Sequence, residues 1–157
     1  MQYEIVEGDL LSQPVEAIVN PWNRNTIPWW LLLPQGVSGA IKKRAGTELF
    51  QELRAYGRLA LGAAVSTSAG KLPFRKIIHV AGINDFWQAS EHSIRLSVGN
   101  AIRLAELEGI KSLAIPLIGA GSGSFSPDKS LKVIQSELDI MESTLTILVV
   151  VFKENND

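Results

Sequence analysis

Apolar and polar positions along the 157-residue chain follow two rhythms. Short apolar runs of strand length cover Tyr3 to Val6, Ala17 to Val19, Val65 to Ser68, Lys76 to Val80, Leu113 to Leu117 and Leu145 to Phe152. Between them, Ser90 to Glu108 sets Ile94, Val98, Ala101, Ile102 and Ala105 at helical spacing, and Gly109 is placed to end that helix. Pro127 to Leu138 reads as a second helix, with Ser126 as N-cap, Pro127 at its first position and Leu131, Ile134 and Leu138 on one face. Ser38 to Ala45 opens a third, and Thr47 to Tyr56 continues it after Gly46. Strands alternating with helices predict an α/β layer fold, in which L-T-I-L-V-V-V-F is a strand buried on both faces. With no internal repeat or linker, residues 1–157 are expected to form one domain.

One stretch breaks the pattern. P-W-W-L-L-L-P, from Pro28 to Pro34, holds five large apolar residues between two prolines, too few to span a bilayer and ill-suited to the interior of a long helix. It must pack on something local.

Composition narrows the function classes. A net charge of -1 and a pI near 6.1 leave no basic excess to hold a phosphate polymer, so non-specific nucleic-acid binding is not expected. The absence of cysteine removes disulfides, thiolate nucleophiles and cysteine metal sites, and two histidines alone make a poor metal site. No metal or cofactor is expected. The opening M-Q-Y-E-I-V-E-G-D has neither the basic nor the apolar region of a signal peptide, which makes a cytoplasmic protein without a membrane segment the expectation.

In an α/β fold the ligand crevice lies beyond the carboxyl ends of the strands, so the loops there carry the candidate chemistry. In E-G-D-L-L, Asp9 can accept from a donor such as an exocyclic amine, or cap a short helical turn. In Q-G-V-S-G-A-I, Gly36, Val37, Ser38 and Gly39 can offer backbone N–H groups at a helix N-terminus, where anions are favoured. I-G-A-G-S-G-S-F-S-P repeats the arrangement, with Gly119, Gly121 and Gly123 letting the backbone approach a ligand. Two such loops suit a diphosphate; the alternative is turn punctuation without a ligand. Neither loop carries a Walker lysine, and G-A-G-S-G-S fails the dinucleotide fingerprint G-x-G-x-x-G.

Taken in order, G-D-L, A-I-V-N followed by a second Asn, G-V-S-G-A-I-K-K-R-A-G, K-I-I-H-V-A-G, G-I-K-S-L-A-I-P and L-I-G-A-G-S-G-S-F resemble the macrodomain family, whose modules recognise ADP-ribose. The resemblance implies a three-layer α/β/α fold with a mixed central sheet. It implies that Asp9 takes the adenine amine and that Leu10 beside it is a ligand-binding residue. Gly36 to Gly39 and the run Gly119, Ala120, Gly121, Ser122, Gly123, Ser124 and Phe125 would hold the diphosphate and distal ribose, with Phe125 packed against that ribose. Asn20 and Asn23 occupy the places of the family's paired asparagines and are the catalytic candidates, Asn20 having the alternative of tying its own loop.

Two departures bear on activity. Hydrolytic members usually carry an Asp directly after G-V, where this chain has Ser38, and the family's G-G-G-G run is reduced to Q-G. A serine is no carboxylate base at neutral pH, so a general-base contribution of about 100-fold would be missing. Asp85 and Asp128 are substitutes by loop position, or solvated carboxylates. His79, inside I-I-H-V, reads as a hydrogen-bonded core residue and His92 as helix surface. The implied function is binding of ADP-ribose with hydrolysis of ADP-ribosyl linkages. The alternatives are a non-catalytic reader, or an interaction module with a vestigial cleft. Trp29 and Trp30 lie in extra residues between Asn23 and Gly36, which would form a lid over the cleft, a plug over the core or an oligomer contact.

Overall fold

A computed structural model describes residues 1–26, 36–121 and 124–152. Among these, β1 (Tyr3–Glu7), β2 (Ala17–Trp22), β3 (Ala64–Thr67), β4 (Lys76–Ala81), β5 (Ser112–Pro116) and β6 (Thr146–Val151) form one sheet in the order β1-β6-β5-β2-β4-β3. All neighbours are parallel except β3, which runs antiparallel to β4, so the sheet is mixed as the resemblance implies. Among the described residues no helix is long and apolar enough to cross a membrane.

Alternation along the central strands builds two cores. In β2, Ala17 and Val19 face one side and Ile18 and Trp22 the other; in β4, Ile78 and Val80 oppose Ile77 and Ala81. The first face is covered by α3 (Glu91–Leu107) and α4 (Pro127–Ile140), the second by α1 (Gly36–Ala45) and α2 (Glu48–Ala55). This is the three-layer arrangement. Ile94, Val98 and Ile102 of α3 are fully buried, each such side chain stabilising the fold by about 1.5–3 kcal/mol.

Local chemistry sets the helix ends. Ser90 and Ser93 form a reciprocal capping box, Ser93 N donating to Ser90 Oγ at 3.0 Å and Ser90 N to Ser93 Oγ at 2.9 Å. Gly109 follows α3 at φ 72°, the left-handed stop that its position predicts. α1 starts two residues before Ser38, which brings Gly36 and Val37 into its first turn.

The largest departure from the sequence pattern is β2, which runs three residues past Val19, through Pro21 to Trp22. A proline inside a central strand normally costs a ladder hydrogen bond. Here β5 pairs only with Ala17 and Ile18, so the β5 side of β2 is already unpaired where Pro21 sits.

Candidate functional site

The divergence of β5 from β2 beyond Ile18 opens a cavity of about 690 Å³ at the carboxyl ends of the strands, within the usual range for ligand pockets. Pro21 and Pro116, neither with an N–H to give, line it. The sheet order fixes the sequence of loops across its mouth. Gly8 and Asp9 follow β1, Phe152 follows β6, Leu117 to Gly121 follow β5, Asn23 follows β2, and Gly82 to Trp87 follow β4.

Asp9 does two things at once. It caps the 3-10 turn Leu10–Ser12, its Oδ1 accepting from Leu11 N at 3.0 Å and its Oδ2 from Ser12 Oγ at 2.9 Å. Its Oδ2 also meets Arg44 Nη1 of α1 at 2.7 Å. Partial burial raises the carboxyl pKa, but hydrogen bonds from Arg44, Leu11 and Ser12 outweigh that and hold it below its ordinary value. A carboxylate has about four lone-pair directions, so one on Oδ1 is left for a further donor. Leu10 lines the cavity beside it.

On the α1 side, Gly36, Val37 and Ser38 line the cavity from the first turn of the helix, whereas Gly39 is buried behind them. On the β5 side, Gly119, Ala120 and Gly121 line it. Gly119 has φ 83°, and a Cβ there would stand 2.5 Å from the Ala89 Cβ, so the loop needs glycine at this point. Ser122 and Gly123 lie outside the described residues, as does the stretch with Trp29 and Trp30. Ser124 and Phe125 are not among the described cavity residues; Phe125 packs against the α3 and α4 core.

Asn20 does not line the cavity either. It is fully buried on the α1 face of β2, in register with His79 of β4. Ser38 Oγ donates to Asn20 Oδ1 at 2.9 Å, Asn20 Nδ2 stands 2.9 Å from His79 Nδ1, and Thr67 Oγ1 of β3 stands 2.8 Å from His79 Nε2. His79 is the hydrogen-bonded core residue its place in an apolar strand predicts. Burial pushes its pKa down to about 3, which keeps the ring neutral.

Asn23 lines the cavity with its Oδ1 accepting from Asn25 N at 2.7 Å, so its NH₂ is what it can offer a ligand. Asn25 in turn accepts from Trp22 Nε1 and donates to the carbonyls of Leu53 and Gly57, which fixes the turn after β2. Asp85 is held by Arg58 at 2.9 Å and Arg24 at 3.5 Å, and neither it nor Asp128 lines the cavity. Asp9 is the one carboxylate among the described residues that does.

Among the cavity side chains that sequence reasoning missed are Ile83, Trp87 and Phe152. The rule that ligands sit beyond strand ends also covers N-D-F-W after β4 and the end of β6. Neither segment is glycine-rich, so neither carried a phosphate-loop signal. Trp87 adopts φ 61° in a turn held by Asn84, whose Oδ1 accepts from Phe86 N at 2.8 Å and Gln88 N at 3.0 Å.

Comparison with known proteins agrees with this geometry. An O-acetyl-ADP-ribose deacetylase from Enterobacter is 36% identical over 128 residues, covering 76% of this chain and 67% of the relative. A variant of the Oceanobacillus iheyensis macrodomain with ADPR superposes with a TM-score of 0.82 at 27% identity, covering 96% of this chain and 84% of the other. The same macrodomain with ADP gives 0.81 at 28% identity, covering 96% and 83%. Residues 19–134, which include the cleft-lining loops after β2, β4 and β5, match the model of the Macro domain, and the chain belongs to that family.

Proposed function

We propose that this protein binds ADP-ribose along the cleft, with adenine at the β1 end and the second ribose at the β4 end. One observation carries the reading. A single cavity of about 690 Å³ joins the Asp9 carboxylate to two glycine-rich strand-to-helix loops. The open Oδ1 direction of Asp9 suits the adenine amine. Phe152, one residue past the register partner of Glu7, lines the same cavity, and its exposed ring offers an apolar face to a flat base. Gly36 to Ser38 and Gly119 to Gly121 meet the diphosphate with backbone N–H groups and the positive end of α1. The second ribose then falls beside Asn23, Ser38, Ile83 and Trp87.

Hydrolysis is a second reading, favoured by the O-acetyl-ADP-ribose deacetylase relative at 36% identity. No carboxylate base stands beside Ser38 among the described residues, since Asp9 lies at the far end and is paired with Arg44. Turnover would therefore rely on a water oriented by Asn23 or by a ligand phosphate, and would be slow.

The experiment is a calorimetric titration of ADP-ribose into the wild-type protein, Asp9→Ala and Asp9→Asn. Saturable binding, weakened about tenfold or more in Asp9→Ala, is expected from the loss of a charge-assisted hydrogen bond. Asp9→Asn keeps an oxygen to cap Leu11 and separates loss of the cap from loss of the charge. Absence of heat at millimolar ADP-ribose would sink the reading.

A further inference from the structure

The polar chain beneath α1 has a direction. Thr67 Oγ1 gives its one proton to the Ser68 carbonyl at 2.9 Å. The proton between Thr67 Oγ1 and His79 Nε2, 2.8 Å apart, therefore comes from the imidazole. A neutral ring with Nε2 protonated has a bare Nδ1, which accepts from Asn20 Nδ2 at 2.9 Å. That fixes the Asn20 amide with Oδ1 toward α1, where it accepts from Ser38 Oγ at 2.9 Å. With its proton given to Asn20, the hydroxyl of the cavity-lining Ser38 has only lone pairs left to offer a ligand.

We propose that Ser38 is a specificity-determining acceptor for a hydroxyl of the ligand's second sugar, aligned for that task by the positioning residues Asn20, His79 and Thr67. The proposal rests on the ADP-ribose reading and extends it. Ser38 is tied to β2 and β4, the end of the sheet opposite Asp9, so a ligand with its base at Asp9 and its diphosphate on the glycine loops presents its second sugar here. A lone pair attracts a sugar hydroxyl and repels a phosphate oxygen, which keeps the diphosphate on the loops. Three of the four residues are buried, so the alignment is shielded from competing water.

The test pairs two titrations with one spectrum. ADP-ribose and ADP are titrated into wild type, Ser38→Ala, Thr67→Val and Thr67→Ser. Ser38→Ala is expected to weaken ADP-ribose about fivefold to tenfold, the effect of one hydrogen bond, and to leave ADP within about twofold. Thr67→Val removes the acceptor for His79 Nε2–H without changing side-chain shape, and should lose part of the same selectivity, which Thr67→Ser restores. Long-range proton–nitrogen NMR of the two histidines, assigned with His92→Gln, should show His79 protonated on Nε2 and bare on Nδ1 at neutral pH. An Nδ1-protonated His79, or equal losses for ADP and ADP-ribose in Ser38→Ala, would overturn the proposal. Unchanged ADP-ribose binding by Ser38→Ala would do the same while leaving the functional reading in place. Failure of the wild type to bind either nucleotide would instead overturn both.

Discussion

Ser38 Oγ and Asn20 Oδ1 lie 2.9 Å apart, two oxygens that tolerate each other only while the serine proton sits between them. An aspartate at position 38 would turn that contact repulsive. Relief requires the Asn20 amide to rotate, offering its NH₂ to the new carboxylate and its oxygen to His79 Nδ1, which must then take the proton. His79 Nε2 would become the acceptor and Thr67 the donor, reversing the whole chain. Ser38→Asp is therefore expected to fold with His79 in the opposite tautomer, read by nitrogen NMR. If the hydrolytic reading holds, Ser38→Asp should also raise turnover of O-acetyl-ADP-ribose by about 100-fold, the usual scale of a positioned base. An unchanged tautomer in Ser38→Asp would show that the chain is not coupled in this way.

His79 also makes the fold sensitive to acid. Its folded pKa of about 3 lies below the unfolded value of 6.5, so between those values the unfolded chain binds more protons than the folded one. The stability that neutral His79 brings is present above pH 6.5 and is lost as pH falls toward 3. The slope is about 1.4 kcal/mol per pH unit. Urea unfolding of wild type and His79→Gln between about pH 6 and pH 4 tests this, because the other titrating groups cancel in the difference. The wild-type curve should fall more steeply by about that slope; parallel curves would mean that the ring is protonated in the folded protein.

Gly119→Ala should damage fold and site together. The residue sits at φ 83°, and a methyl group would stand 2.5 Å from the Ala89 Cβ on the segment that enters α3. Strain of this kind costs about 1–3 kcal/mol. Thermal unfolding should drop by several degrees. In the proposed binding mode this loop holds the diphosphate, so affinity for ADP should fall at least about tenfold. A variant with normal stability and normal ADP affinity would show that this loop does not hold phosphate.

What could be read from sequence and what could not divide along physical lines. Helices α3 and α4 were legible because caps, periodicity and stop residues agreed, and the glycine loops announced close backbone approach. The continuation of β2 through Pro21 was not legible, since it depends on where β5 stops pairing, a property of two segments more than ninety residues apart. In sequence Asn20 and Asn23 are both catalytic candidates, Asn20 with the alternative of tying its own loop. Alternation in β2 turns Asn20 into the buried layer against His79, whereas Asn23, just past the strand end, reaches the cavity. Trp87 was overlooked because an aromatic in a loop carries no periodicity, and only the strand order shows that its loop faces the cleft.

Trp87 supplies the last test. Its φ of 61° costs a non-glycine residue roughly 1–2 kcal/mol, and it is 41% exposed, so its partial burial returns a similar amount. Trp87→Gly removes both contributions and should change the unfolding free energy by no more than about 1 kcal/mol, the Asn84 bonds still closing the turn. The cleft should respond differently. Trp87 lines the cavity at the β4 end, where the proposed binding mode would put the second ribose, so Trp87→Gly should weaken ADP-ribose severalfold and leave ADP nearly unchanged. Calorimetry with both nucleotides beside a melting curve reads all three quantities. Equal weakening of the two would move Trp87 to the diphosphate, and a large drop in melting temperature would make it a structural residue, its strained backbone being then a cost of packing and not of recognition.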